Sequence, residues 1–493
     1  MFEIKIKDFL GRIGVLDTPH GKIETPALLP VINPNRLLLP VSRMKEIGAE
    51  ALITNAYIIY RTPHLRERAV DVGIHRLLGF DAPVMTDSGS YQLSVYGDIE
   101  VENEDIVQFQ IEVGSDIIVP KDIPTPPFSP RDRAEKELMT TVRNVSEAWE
   151  MLAGLSNRPL LASPIQGSTY PDLREKCARM LRGMGDIFPI GAVVPLLENY
   201  RFKQIAEIIL HSKMGTSTCT PIHLFGAGHP MILSFAVAFG CDLFDSAAYA
   251  LFAKENRYLS PHGTYDLSSM EYLPCACPIC STHTAKELRE SDERERLLAE
   301  HNLHTAFSEI RLIKESIREG TLIELVQQRC RAHPRLLDAL KIALSHTDII
   351  DELSPQRRSS PFYSGPESAL MPEVRRHQKR LERLEVGKNC IIFTTHPAST
   401  HPELSLKDFD SVFILRAPFG PFPPELAETL PVNTVHVSGD LEAKHKALEG
   451  VVYLVKNNPD TLFTLVLDRE WLDIAKQRLN GLDNVEVWGE ENG

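Results

Sequence analysis

The sequence predicts a (β/α)8 TIM barrel followed by a helical appendage and a smaller C-terminal α/β domain. Three observations carry this. Eight short apolar runs occur within the first 253 residues, segments of helical period separate most of them, and polar or glycine residues follow every run. Strand and helix in regular alternation imply parallel pairing through crossover helices. Eight such units close more naturally into a barrel than into an open sheet.

The predicted strands are Pro26 to Ile32, Ala51 to Ile59, Pro83 to Thr86, Asp116 to Pro120, Pro159 to Pro164, Phe188 to Pro195, Ile222 to Phe225 and Asp242 to Phe244. Helical period marks Asn103 to Val113, Pro130 to Leu155, Tyr170 to Met184, Tyr200 to Met214 and His229 to Phe239. Within or after the C-terminal ends of the strands come Asn33-Pro34, Asn55-Ala56-Tyr57, the DSGSYQ segment from Asp87, Lys121-Asp122, Gln166-Gly167, Glu198-Asn199, the GAGH segment from Gly226, and Asp245-Ser246. Barrel active sites lie at the C-terminal ends of the strands, so eight polar ends in succession read as the floor of a pocket.

The domains expected are a catalytic barrel over 1–345 with a metal-bearing segment near 271–310, a linker and basic helical segment over 346–385, and a small α/β domain over 386–493. The linker reading rests on the Ser, Pro and Arg content of SPQRRSSPFYSGPES. The last domain rests on five strand-like runs: CIIFTTHP, SVFILRAP, NTVHVSG, TLFTLVLD and VEVWG.

With 43% hydrophobic and 24% charged residues, the chain has the balance of a soluble globular protein. No apolar run approaches the roughly 20 residues that span a bilayer. The start, MFEIKIKDFLGRIG, has no apolar signal core, so a cytoplasmic protein without a membrane partner is expected. A net charge of −14 argues against nucleic acid unless basic groups cluster locally. They do so in VRRHQKRLER, in QQRCRAHPRL, and at Lys254 with Arg257.

Of eight cysteines, Cys275, Cys277 and Cys280 fall within six residues, and the other five are scattered. That is the pattern of reduced thiols plus a metal site rather than a disulfide framework. Three thiolates so close suit zinc, with a histidine closing the tetrahedron. His301 is the expected fourth ligand, with His283 and His304 as rivals. Four protein ligands leave no open position, so one structural Zn2+ per chain is expected.

Asp87, Asp122 and Asp245 follow the third, fourth and eighth runs, and a closed barrel brings such ends to one mouth. An aspartate at a strand end commonly caps the next helix. The small residues around Asp87 and Asp245 instead permit close approach by a ligand. Grouped carboxylates push one another's pKa values apart, so one stays ionised while another carries a proton, as glycosidic chemistry requires.

TPHGKIETPALLPVI, MTDSGSYQL, FPIGAVVPLLE, FGAGHP, CDLFDSAAYA and CACPIC with HNL, in this order, resemble the tRNA-guanine transglycosylase family over roughly residues 1–345. SAAYALFAKENRY and PFGPFPPEL point to its archaeal branch. The resemblance implies exchange of a D-arm guanine in tRNA for 7-cyano-7-deazaguanine through a covalent enzyme–tRNA intermediate, in archaeosine biosynthesis. Asp245 matches the nucleophile and Asp87 the general acid/base, although the family's nucleophilic role has also been given to the position of Asp87. Asp122 and Gln166 match base-recognising positions, Gly191, Ala192 and Val193 lend backbone groups, Tyr91 stacks on the base, and Ser88 lies beside the general acid. It further implies a homodimer. Archaeal members commonly end in a tRNA-gripping PUA domain; no such pattern follows the small α/β domain here, so either the grip is weaker or a separate PUA-domain protein supplies it, and the second is the favoured expectation. A catalytically inactive tRNA-binding subunit and an archaeosine synthase-type paralogue are rival readings within this resemblance, both disfavoured by intact DSGSYQ and FDSAAY. A barrel hydrolase of small nucleosides would have no evident use for the cysteine cluster.

Overall fold

Eight parallel strands form the centre of the first of two units, 1–343 and 344–493, into which the computed structural model divides. Residues 2–90, 101–355, 363–399, 401–434 and 440–489 are described. An antiparallel sheet of β1 (Phe2–Asp8), β2 (Gly11–Thr18) and β3 (Gly21–Thr25) opens the chain. The parallel strands are β4 (Ala27–Ile32), β5 (Leu52–Asn55), β6 (Val84–Asp87), β7 (Ile117–Ile118), β8 (Leu160–Leu161), β9 (Phe188–Ile190), β10 (Ile222–Leu224) and β11 (Leu243–Ser246). Each pairs with its sequence neighbour from β4 to β8 and from β9 to β11, and β11 pairs with β4. Bridges Ala162–Ile187 and Ile165–Ile190 join the β8 and β9 segments and close the barrel.

Two predicted strands run past their ends. Ala56–Arg61 and Val194–Glu198 are helices, so the runs Ala51 to Ile59 and Phe188 to Pro195 each contain a strand, a tight turn and the first turn of a helix. An unbroken apolar run does not reveal where its period changes from 2 to 3.6.

The barrel interior is filled by Ala27, Leu29, Ile53, Met85, Ile117, Ala162, Ile187 and Leu243, joined by Leu16 and Ile23 from β2 and β3. The N-terminal sheet thus plugs the end where the strands begin, leaving the other end for chemistry. Two polar clamps fix the plug. Buried Asp116, just before β7, accepts from His20 Nδ1 (2.9 Å) on one oxygen and from His75 Nε2 (2.8 Å) on the other, and those donors hold its carboxyl below the usual range against the opposing effect of burial. Buried Arg12 of β2 pairs with Asp242, just before β11, at 2.6 Å and 2.8 Å.

Past the barrel, β12 (Arg257–Ser260) and β13 (Gly263–Asp266) form a hairpin that leads through the cysteine segment to the long helix Arg294–Glu319. That helix buries Leu298, Leu303, Phe307, Ile310 and Ile313 along one face. Among the described residues no helix is long and apolar enough to cross a membrane.

The second unit is a sheet in the order β16 (Gly420–Phe422), β15 (Ser411–Arg416), β14 (Asn389–Phe393), β17 (Leu462–Leu467), β18 (Val485–Gly489), all parallel except the edge strand β16. Helices Leu441–Asn457 and Arg469–Leu479 supply Leu448, Val451, Leu454, Trp471 and Ala475 to its core, and Leu381 from the preceding segment joins them. Of the run NTVHVSG, residues 435–439 lie outside the described residues.

Candidate active site and metal centre

The ends of β6, β10 and β11, with the loops after β7 and β8, carry the polar groups. Asp87 closes β6. Its Oδ1 accepts from Asn55 Nδ2 (2.7 Å), at the end of the adjacent strand β5, and from the Gly89 N–H (2.7 Å). Gly89 holds φ +82, and a Cβ there would lie 2.5 Å from Tyr57, so only glycine lets the chain turn this tightly beneath the carboxylate. Burial pushes the Asp87 carboxyl up to about 7; the nearby charges of Asp245 and Asp122 add to this and the Gly89 N–H opposes it.

Asp245 sits inside β11, one residue before its end, and is almost wholly buried. Its Oδ1 accepts from His223 Nε2 of β10 (2.9 Å) and from the Gly226 N–H (2.9 Å). Both carboxylates therefore have one oxygen anchored and the other without a hydrogen bond from any described residue.

Buried Asp122 accepts from the Gln166 side-chain amide nitrogen, and burial raises its carboxyl above the usual range although Ser90 and Gln166 pull the other way. The Asp122 N–H donates to Ser90 Oγ (3.1 Å), Ser90 meets Ser88 Oγ (2.9 Å), and Ser88 donates to the Pro120 carbonyl (3.1 Å). A chain of hydroxyls thus fixes the Asp122 loop against the turn after Asp87. Gln166 Oε1 is buried without a partner among the described residues, which leaves an acceptor open to a ligand donor. Beneath it, fully buried Arg174 donates to the Ser168 (2.9 Å) and Ile165 (2.7 Å) carbonyls and so holds the loop that carries Gln166.

Gly191 lies against this pair. A Cβ there would meet Gln166 Nε2 at 2.3 Å and Asp122 Oδ2 at 3.3 Å. Its N–H donates to the Ile165 carbonyl (3.3 Å), Ala192 turns the chain at φ +60, and buried Val193 caps helix Val194–Glu198. Tyr91 lies outside the described residues.

The structure gathers Asp87, Asp122, Gln166, Gly191 and Asp245, gives Asn55 and Ser90, already among the polar strand ends, contacts to Asp87 and Asp122, and adds Arg174 and His223. His223 had a readable signal, being the one polar residue within the apolar strand Ile222–Leu224. The others act through backbone groups or neighbouring side chains, which no spacing reveals.

At the metal centre, one ligand atom from each of Cys275, Cys277, Cys280 and His301 lies within 4.8 Å of all the others. His301 Nδ1 faces Cys277 and Cys280 Sγ at 3.4 Å and 3.3 Å. Its Nε2 is held by the Leu259 carbonyl (3.0 Å), and its ring stacks on Tyr258 at 3.7 Å. A second-shell bond of this kind sets which ring nitrogen faces a metal. The rival histidines point elsewhere: His283 Nδ1 contacts the Ile279 carbonyl (3.0 Å), and His304 Nε2 is buried without a hydrogen bond from the described residues. Three sulfurs and one imidazole nitrogen so placed could hold a soft cation, which takes four such ligands in a tetrahedron.

The basic runs are partly spent on the fold itself. Arg375 and Lys379 pair with Asp351, Arg376 donates to the Asp351 and Ser354 carbonyls, and Arg329 forms a buried pair with Glu309. Lys254, Arg380 and Arg383 remain exposed.

A closed parallel barrel, three carboxylates and an amide acceptor unpaired among the described residues at its C-terminal mouth define a barrel enzyme equipped for proton transfer beside a small polar ligand. Residues 8–335 match the family model described as queuine tRNA-ribosyltransferase. The chain is 51% identical over 473 residues to a tRNA-guanine(15) transglycosylase of Methanosarcina mazei, covering 96% of this chain and 95% of the relative. Another from Archaeoglobus fulgidus is 46% identical over 478 residues, 96% of each chain. A third, from Methanocaldococcus jannaschii, is 48% identical over 442 residues, 87% of this chain and 67% of that longer one. The chain belongs to the tRNA-guanine transglycosylase family and is a pentosyltransferase.

Proposed function

We propose that this enzyme exchanges the guanine at position 15, in the D-arm of tRNA, for 7-cyano-7-deazaguanine, the base-inserting step of archaeosine biosynthesis. Support for the position comes from relatives named as tRNA-guanine(15) transglycosylases at 46–51% identity. The observation that carries the chemistry is the pair Asp87 and Asp245, each with one oxygen anchored and the other without a hydrogen bond among the described residues, with Asp87 raised to about 7.

Asp245 attacks the ribose C1′ and takes the ribosyl group as an ester while the guanine leaves. Asp87, raised to about 7 and so carrying a proton in a large fraction of molecules at neutral pH, gives that proton to the departing base, then recovers one from the incoming base as that base attacks C1′ and the ester breaks. Asp122 and the open Gln166 acceptor suit the N–H edge of a guanine-like base. The Cys3His centre takes zinc in a structural role, and a cytoplasmic location matches the substrate.

The test is release of labelled guanine from tRNA by unlabelled 7-cyano-7-deazaguanine, followed by mapping the exchanged nucleotide. Release demanding another 7-deazaguanine, or exchange outside the D-arm, refutes the assignment.

Two further outcomes are expected. Gly191→Ala displaces Gln166 and lowers kcat/KM for the incoming base by about 100-fold, because a displacement near 1 Å costs that much in a positioned site; thermal melting should show an intact fold. Asp87→Asn is expected to raise Tm by about 4 °C at pH 8. Asp87 releases its proton near 7 in the folded state but near the ordinary aspartate value of about 3.9 in the unfolded chain. The folded state therefore binds more protons between these values, and wild-type stability falls as pH rises through that window. Asparagine removes the dependence, so its advantage should vanish toward pH 4; an advantage that grows as pH falls contradicts the assignment.

A further inference from the structure

We propose that Phe128 is a stacking platform for a base of the tRNA next to the exchanged guanosine, an inference that rests on the tRNA-exchange reading above. Phe128 belongs to the loop between β7 and helix Arg131–Leu152, the same loop that carries Asp122, and loops of this kind lie at the mouth of a barrel. Its side chain is 61% exposed, and among the described residues no other phenylalanine is comparably exposed. Its backbone holds φ +62, a conformation that a bulky residue adopts only under strain.

Neither property helps the fold. An exposed ring gains nothing from burial, and glycine or asparagine would make the same turn more cheaply. Yet the loop is held firmly. Ser168 Oγ donates to the Pro126 carbonyl (2.7 Å), Ser129 Oγ donates to the same carbonyl (2.8 Å), Tyr170 OH donates to the Ser129 carbonyl (2.9 Å), and the Phe128 N–H donates to Thr169 Oγ1 (3.4 Å). The two loops so joined are those bearing Asp122 and Gln166. A strained residue displayed outward by a pinned loop at a site is the pattern of a functional constraint.

The chemistry of the partner follows from the reaction. A nucleotide whose base is replaced must leave its stack to enter a barrel mouth, which strips its neighbours of a stacking partner. A phenyl face beside the pocket restores that contact, and base–aromatic stacking does not depend on base identity. Phe128 would thus bind through a ring face rather than a phosphate, which is useful in a chain of net charge −14.

The experiment compares wild type with Phe128→Ala, Phe128→Gly and Phe128→Trp in the full chain, using tRNA carrying 2-aminopurine on either side of the exchanged guanosine. Alanine and glycine are expected to raise KM and Kd for tRNA by about tenfold, with kcat and the KM of the free base unchanged. Tryptophan restores tRNA affinity. Glycine also raises Tm, since it releases the strain. The slope of affinity against salt stays the same, because no phosphate contact is lost. The quenching of 2-aminopurine by wild type disappears in both small variants. Wild-type tRNA affinity in the alanine and glycine variants overturns the proposal. So does a joint loss in free-base KM, which would make Phe128 a brace for Asp122, or a change in oligomeric mass, which would place the ring in a protein interface. Failure of the wild type itself to exchange guanine in tRNA would instead refute the underlying functional reading.

Discussion

Asp245→Asn is expected to lower the rate of base exchange by about 10⁴-fold or more, with tRNA affinity changed less than about twofold and with no adduct surviving denaturation. Asparagine is isosteric and still offers an oxygen to His223 Nε2 and to the Gly226 N–H, so the pocket keeps its shape. What disappears is the anionic oxygen able to form the ester to C1′. Capture of an enzyme–tRNA adduct on a denaturing gel separates this outcome from a binding defect. Should Asp245→Asn still form the adduct while Asp87→Asn does not, the two aspartates exchange roles. His223 bears on the same reaction as a positioning residue. It is fully buried, touches Asp245, and has its other ring nitrogen without a partner among the described residues. Truncating it frees the carboxylate to rotate, so kcat falls while tRNA affinity holds; glutamine restores part of the rate by supplying an N–H.

The legibility of this protein varied with how local the governing interaction was. Strands β4–β11 were readable because parallel barrel strands are covered on both faces and appear as unbroken apolar runs. For the same reason their ends were not readable at Ile58–Ile59 and Val194–Pro195, where apolar residues continue into helix. The sheet β1–β3 lies outside the eight apolar runs because FEIKIKD, GRIGVLDT and GKIET interleave apolar with charged or glycine residues, a period-2 pattern that differs from the unbroken runs of the barrel. Asp87, Asp122 and Asp245 could be gathered from sequence once the fold was a barrel, since strand order alone brings strand ends together. The roles of Asn55, Ser90 and Arg174 could not, because each is selected by the atom it touches on another strand or loop. His301 and His304 stand three residues apart on one helix, and only the packing of that helix against Tyr258 and Leu259 decides which faces the thiols.

The metal centre carries the second large expectation. Cys280→Ser, or removal of the metal by a strong chelator, should lower Tm by about 10 °C or more and open the segment between β13 and helix Arg294–Glu319 to protease. Side chains of Glu271, Tyr272, Pro274, Ala276 and Pro278 are exposed there and Ile279 alone among residues 271–282 is buried, so apolar packing supplies little to hold it. Structural zinc contributes about 10–16 kcal/mol in small peptides, and an ion held by these four side chains would order this one segment. The loss should nevertheless reach catalysis. Asn302, next to His301, accepts from the Leu259 N–H (2.9 Å) and donates to the Tyr249 (3.2 Å) and Arg257 (3.1 Å) carbonyls. Tyr249 lies in the helix that begins three residues after Asp245. Once His301 is released, Asn302 shifts with it, and the helix behind the proposed nucleophile loses its brace. Exchange activity should therefore fall in parallel with metal content, with far-ultraviolet dichroism of the barrel retained. Full activity in metal-free protein would confine the centre to local stability and break the proposed link through Asn302.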